Sequence, residues 1–196
     1  MIYIFDFDGV IKDSVDVKGH AFKELYKNDN VIAEKVYRDH MMNGGVPRLE
    51  KFRRWEELFF HRALSEERQS YLLQEYKRIV IDRVIRAPYI EGFLDFYQSI
   101  SNELKYVCTA SPQEEARFII ESLNLEFDEI FGFPRTKEEI ITEIKSRAGD
   151  DAEFLYFGDS DKDLVACVNC DIPFVPINYS GKLLHIDRYS FEDING

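Results

Sequence analysis

The chain opens on Met1-Ile2-Tyr3-Ile4-Phe5, an unbroken run with strand character, and turns abruptly acidic at Asp6-Phe7-Asp8-Gly9. A strand without alternating polar positions suits a sheet covered on both faces, the environment of parallel strands with helices above and below. Ligands on such sheets sit beyond the carboxyl ends of the strands, and Asp6 and Asp8 stand at such an end. At about 4 Å and an effective dielectric of about 20, two carboxylates repel by roughly 4 kcal/mol. Both ionise side by side only if a cation joins them, and otherwise one keeps a proton. The pair implies a metal, a shared proton or both; the plain alternative is a solvated turn after an ordinary strand.

Four more short apolar segments read as strands: 104–108, 129–131, 153–157 and 172–177. Helical patterns separate them. Ser111-Pro112-Gln113-Glu114 has Ser111 placed as N-cap and Pro112 at the first helical position, and Thr136-Lys137-Glu138-Glu139 is a capping box opening a helix that stops near Gly149. Strands alternating with helices from residue 89 onward predict an open, doubly wound α/β core with a Rossmann-like parallel sheet. Residues 15–85 have a different texture. Phe22, Leu25 and Tyr26, then Leu72, Leu73, Tyr76, Ile79 and Val80, recur at helical spacing, and Ser65-Glu66-Glu67 is a helix start. The expectation is an all-helical insertion over 15–85, with 1–14 and 86–196 forming the core; long insertions after a carboxyl sheet edge tend to be lids or binding elements.

Three further positions carry chemistry on the same edge. Thr109 is a hydroxyl at a strand end just before a helix N-terminus, where backbone N–H groups favour an anion. Lys137 sits in the first turn of its helix against the helix dipole, a placement that a buried phosphate or aspartate would explain. Gly158-Asp159-Ser160-Asp161-Lys162-Asp163 is an acidic loop after a strong strand, and Asp159 and Asp163, four apart, can face one side if Ser160 opens the helix. Hard oxygen ligands of this kind suit magnesium. A calcium-binding EF-hand fails on spacing, because Leu164 stands where glycine is required and Cys170 where glutamate is required. Each feature alone also has a structural explanation as a strand end, a tolerated surface lysine or an acidic helix start.

Charge narrows the partners. With 37 acidic against 25 basic side chains and a formal net charge of −12, the chain repels nucleic acid and anionic membranes at long range. A phosphorylated ligand would need local cations and a metal. No stretch approaches the roughly 20 apolar residues of a membrane span, and three cysteines fit a reducing compartment better than a disulfide framework, so the expected location is the cytoplasm. Cys167 and Cys170 form a C-x-x-C within a predicted helix, without a second pair to complete a zinc site.

Taken in order, Asp6-Phe7-Asp8-Gly9-Val10, Thr109, Lys137 and Gly158-Asp159-Ser160-Asp161-Lys162-Asp163 resemble the four motifs of the haloacid dehalogenase-like hydrolases, in particular the helical-cap branch that includes phosphoglycolate phosphatases and β-phosphoglucomutases. The resemblance implies an aspartyl-phosphate mechanism, with Asp6 as nucleophile, Asp8 as general acid and base, and Thr109 and Lys137 holding the transferring oxygens. It also implies Mg2+ among Asp6, the Asp8 carbonyl, Asp159 and Asp163. Carbon–halogen cleavage is disfavoured because Asp8 is present. The segment Asn43-Gly44-Gly45-Val46-Pro47-Arg48 resembles the substrate loop of the cap, with Pro47 suited to a first helical position, which makes Arg48, and with it Lys51, the expected contacts to a small phosphorylated metabolite. Lys51 is also the one lysine considered for phosphonate cleavage through a Schiff base. His20 resembles a hinge histidine of the mutases and keeps a phosphosugar mutase as the alternative.

Overall fold

The structure is a computed structural model in which residues 1–149, 151–183 and 190–195 are described. Strand β1 (Ile2–Phe5) is followed by four helices, α1 (Val15–Leu25), α2 (Asn30–Met42), α3 (Arg48–Phe60) and α4 (Glu66–Arg86). The chain then runs through α5 (Phe93–Ser99), β2 (Leu104–Pro112), α6 (Gln113–Ser122), β3 (Glu129–Phe133), α7 (Lys137–Ala148), β4 (Phe154–Gly158), α8 (Asp161–Cys170), β5 (Phe174–Pro176) and α9 (Phe191–Asn195). All strand pairs are parallel, in the order β3-β2-β1-β4-β5. The chain builds outward from β1 on one side and then returns to its other side, so the winding direction reverses between β1 and β4. That reversal leaves a crevice at the carboxyl ends of these two strands, where open α/β sheets bind their ligands.

Period-two burial explains why both faces are covered. Phe5, Val107 and Phe157 face a cluster that includes Phe93 and Phe96 of α5, Ile119 and Ile120 of α6 and Phe191 of α9. Ile2, Ile4 and Tyr156 face the opposite way, onto Ile140, Ile141 and Ile144 of α7 and Ala166 and Cys167 of α8. The Phe5 ring stacks on Phe157 at 4.9 Å; truncating such a buried ring to alanine costs about 3–5 kcal/mol. The first cluster runs on without a break into the helical insertion, through Phe22, Phe52, Trp55 and Tyr76.

Local signals set most helix boundaries. Ser65 accepts from the Arg68 N–H ahead of α4, and Thr136 and Glu139 exchange the two bonds of the capping box at α7. Two starts differ from the sequence expectation. β2 continues past Cys108 because Pro112 pairs with Phe133 after a register irregularity, which keeps Ser111 extended and moves the start of α6 to Gln113. Pro47 is likewise the residue before α3, not its first helical residue. Where the insertion joins the core, the two connecting segments pair: the Asp13 N–H donates to the Pro88 carbonyl at 2.9 Å and the Ile90 N–H to Ile11 at 3.1 Å.

Candidate active site

Register places the acids. Phe5 lies opposite both Val107 and Phe157, so Asp6, Thr109 and Asp159 all emerge just beyond the same sheet edge. The Asp6 N–H still bonds the Phe157 carbonyl at 2.9 Å, which fixes the backbone from which its carboxylate projects. Gly9 follows at φ +79°, and a Cβ there would fall 2.4 Å from Asp159 Oδ2; only glycine both takes this turn and lets the two acidic loops touch. Ligand oxygens of Asp6, Asp159 and Asp163 consequently lie within 4.8 Å of one another, and all three residues are buried.

Lys137 answers the question its sequence position raises. Its Nζ stands 3.0 Å from Asp6 Oδ2 and also pairs with Asp163 Oδ1. Burial by itself pulls the ammonium towards neutrality, but Asp163 and Asp6 together outweigh it and hold the pKa well above the ordinary lysine value. Asp163 is fully occupied. Oδ1 also accepts from the Tyr156 hydroxyl at 2.8 Å, and Oδ2 from the N–H and hydroxyl of Ser160. With its lone pairs engaged by four donors, Asp163 fixes Lys137 and the β4 loop and has little capacity left for a metal, unlike Asp159. Among the described residues no lysine or arginine forms an ion pair with Asp159.

Burial raises Asp6 to a pKa of about 7, against the pull of Lys137 and with added repulsion from Asp163 and Asp8. Asp159 is raised well above the carboxylate range, by burial first and then by Asp6 and Asp163. Asp8 moves the other way: burial would raise it, but Lys18, with hydrogen bonds from Lys18 and Ser14, brings it below the usual value. In the cation-free arrangement the proton therefore belongs to Asp6 or Asp159 and not to Asp8, the reverse of the order that a general acid at Asp8 requires. A divalent cation held by Asp6 and Asp159 would favour their ionised forms and take the proton from them. The donor set fits one. Four carboxylates (Asp6, Asp8, Asp159, Asp163) face two lysines (Lys18, Lys137), an excess of two negative charges that hard oxygen ligands would present to a dication.

Above the acids lies a cavity of about 60 Å3, bordered on one side by residues of the insertion. Asp6, Asp8, Thr109, Ser111 and Asp159 line its floor; Lys18, Phe22, His40, Arg48, Lys51 and Tyr76 line the side formed by the helices. Thr109 is buried, and its Oγ1 accepts from the Ser111 N–H at 3.2 Å. Arg48 and Lys51 both reach the cavity. The Arg48 guanidinium is gripped by Glu115 of α6 through bonds of 3.0 and 2.7 Å and lies over the Tyr76 ring at 4.4 Å. Lys51 Nζ bonds His40 Nδ1 at 2.9 Å, and His40 Nε2 donates to the Val15 carbonyl at 3.0 Å. Burial brings Lys51 down to about 7 and His40 to about 3, so the imidazole is neutral and the amine is able to act as a base as well as a donor.

His20 is not brought to the site. It lies exposed on α1 between Asp16, at 3.4 Å, and the Tyr37 ring, at 5.0 Å. The α1 residue that meets Asp8 is Lys18, whose Nζ also bonds Ser111 Oγ at 2.8 Å. Lys18, Ala21, Phe22 and Leu25 share one helical stripe, so a lysine on an apolar face was the available signal. Arg48, Lys51 and Trp55 show the same spacing on α3, and Ala33, Val36 and His40 on α2. Glu115 shares the buried stripe of Ala116, Ile119 and Ile120 on α6, and Tyr76 that of Leu72, Ile79 and Val80 on α4.

The family model described as haloacid dehalogenase-like hydrolase matches residues 3–177. The chain belongs to this family. Comparison with curated proteins returns no significant sequence match. Among solved structures of the haloacid dehalogenase-like fold, a predicted phosphoglycolate phosphatase from Haemophilus somnus 129PT superposes with a TM-score of 0.76 at 15% identity, covering 99% of this chain and 96% of its own. A β-phosphoglucomutase candidate from Bacteroides vulgatus gives 0.75 at 16% identity, with 99% and 85% coverage. A haloacid dehalogenase-like family protein from Streptococcus pneumoniae gives 0.67 at 21%, with 90% and 83%. These likenesses establish the fold: this haloacid dehalogenase-like hydrolase is an α/β enzyme with a five-stranded parallel sheet and a buried aspartate cluster. No helix among its described residues is long and apolar enough to cross a membrane.

Proposed function

We propose that this hydrolase is a magnesium-dependent phosphatase of small phosphomonoesters, with 1–14 and 86–196 as catalytic core and the helices of 15–85 as a cap over the site. The observation that carries the reading is the convergence of Asp6, Asp159, Thr109 and Lys137 at the point where the winding of the sheet reverses. Asp6 is the nucleophile, and its carboxylate attacks phosphorus to give an aspartyl-phosphate. Lys137, held by Asp163, and the Thr109 hydroxyl stabilise charge on the transferring oxygens. Asp8 gives a proton to the leaving oxygen and then takes one from water. It enters the second step already suited to it, since Lys18 and Ser14 favour its ionised form. Lys18 must therefore yield when the leaving group arrives. Asp6, Asp159 and the Asp8 carbonyl would hold Mg2+, with Asp163 supporting them through Lys137; when bound, the ion supplies charge neutralisation at the phosphoryl group.

The cavity supports a small substrate, and the local cations meet the demand that a net charge of −12 creates for capturing phosphate. A cytoplasmic location is consistent with this chemistry. The mutase alternative leaned on His20, which has no place in the cavity, and no other observation favours it. Phosphate release from a panel of phosphomonoesters, with Mg2+ and with chelator, tests the proposal. Release that depends on magnesium and vanishes in Asp6→Asn is expected. Isomerisation of a sugar phosphate with little net release would favour the mutase, and failure to turn over any ester, p-nitrophenyl phosphate included, would refute both.

A further inference from the structure

The helical side of the cavity is rich in cations, yet two of the three, Lys18 and Arg48, are already paired with carboxylates. Lys18 pairs with Asp8. Lys51 has a neutral imidazole as its hydrogen-bond partner. Arg48 is the position from which a cap would meet the far end of a substrate, and it is held in a bidentate pair with Glu115, both side chains about nine-tenths buried. Planar fork-to-fork pairing of this kind is the strongest form of the contact and costs much to break once desolvated. Tyr76 covers one face of the guanidinium as well. Glu115 stands in the first turn of α6, where the helix dipole favours its negative charge.

Building on the phosphatase reading, we infer that Glu115 is a positioning residue for substrate choice: by cancelling the charge of Arg48 it makes the far end of the site select a neutral, hydroxyl-bearing group over a second anion. Arg48 keeps further N–H groups in its fork, beyond the two given to Glu115, with which to donate to hydroxyls. Glu115 does not line the cavity, but its carboxylate bonds the guanidinium at 3.0 and 2.7 Å, so a ligand carboxylate at Arg48 would have its attraction to the cation offset by repulsion from the anion paired with it. The substrate class is then a polyol or sugar phosphate, not a phosphorylated hydroxy acid.

Substrate pairs that differ only by CH2OH against carboxylate test this: 2-hydroxyethyl phosphate against 2-phosphoglycolate, and glycerol 1-phosphate against 3-phosphoglycerate, each measured as kcat/KM on the Mg2+-loaded enzyme. The parent enzyme is expected to favour the neutral member of each pair by at least about tenfold, the factor that about 1.4 kcal/mol of differential binding gives. Glu115→Gln should narrow or reverse that ratio, chiefly through a lower KM for the acids, and Glu115→Asp should restore it. Arg48→Gln, which leaves Glu115 unopposed, should widen it. A purely structural Glu115 would lower turnover of both members alike and leave the ratio fixed. Equal or better hydrolysis of the acids by the parent overturns the inference even if no variant folds. Inactivity toward every ester and p-nitrophenyl phosphate instead overturns the phosphatase reading beneath it.

Discussion

Replacing the proposed nucleophile should make the metal-free protein more stable while abolishing its chemistry. Asp6 is almost wholly buried, and its pKa rises from 3.8 to about 7, first through burial. A carboxyl raised in the folded state keeps its proton across a window in which the unfolded chain has lost it, so stability falls as pH climbs through that window. The penalty is absent below about pH 4 and complete above about pH 7. Three units at 1.36 kcal/mol each amount to about 4 kcal/mol, an upper figure for the gain of Asp6→Asn at pH 8. For a chain of this length that gain raises the melting temperature by roughly 8–16 °C. Thermal unfolding of the parent and Asp6→Asn in chelator at pH 4.5 and pH 8 measures it. The advantage should be small at the lower pH, large at the higher one, and reduced by Mg2+, which stabilises the parent's carboxylate. A variant no more stable than the parent at pH 8 would refute the argument that burial makes the Asp6 carboxylate costly. Retained phosphatase turnover would refute the role given to Asp6.

Two further outcomes follow from the geometry. Asp159→Asn should abolish the magnesium response and, because burial and then Asp6 and Asp163 raise its carboxyl well above the usual range, should raise the melting temperature of the metal-free protein at pH 8. Asp163→Asn should lower that temperature, because a buried carboxylate pairing with Lys137 and Tyr156 is lost; magnesium titrations followed by calorimetry separate the two, and equal loss of binding in both would place Asp163 on the metal. Lys51, depressed from 10.5 to about 7, carries a penalty that is complete below pH 7 and gone above about pH 10.5. Lys51→Met should therefore stabilise the protein by roughly 3 kcal/mol at pH 6, after allowance for the hydrogen bond lost at His40, and by much less at pH 10 in chemical denaturation.

The sheet was legible because its strands are short, apolar and punctuated by acids or caps. β1 and β4 end where Asp6 and Asp159 begin, and the Thr136-Glu139 box marks the start of α7 in both sequence and structure. Ser111 misled for a physical reason: a Ser-Pro pair is equally good at opening a helix and at prolonging an edge of strand, and the pairing of Pro112 with Phe133 decided between them. Spacing also brings Asp163 near Asp159, as the structure has it, but does not reveal that Lys137, Tyr156 and Ser160 use its oxygens. The resemblance to a hinge histidine favoured His20, whereas burial favours Lys18, two residues earlier and about 200° around the helix from it.

Placement of the cations has a consequence for how a strongly acidic protein captures an anion. Of the four that serve the site, only Lys137 belongs to the sheet core; Lys18, Arg48 and Lys51 all come from the helical insertion. With Lys137 committed to Asp6 and Asp163, a phosphoryl group approaching the core alone meets four carboxylates and little compensating charge. Attraction develops only with a dication at the acids and the insertion seated above them. Seating depends in turn on Gly45, at φ +69°, where a Cβ would press 2.8 Å from Lys162 Cβ of the β4–α8 segment. The acidic loop that would hold the metal is thus also the surface against which the insertion packs.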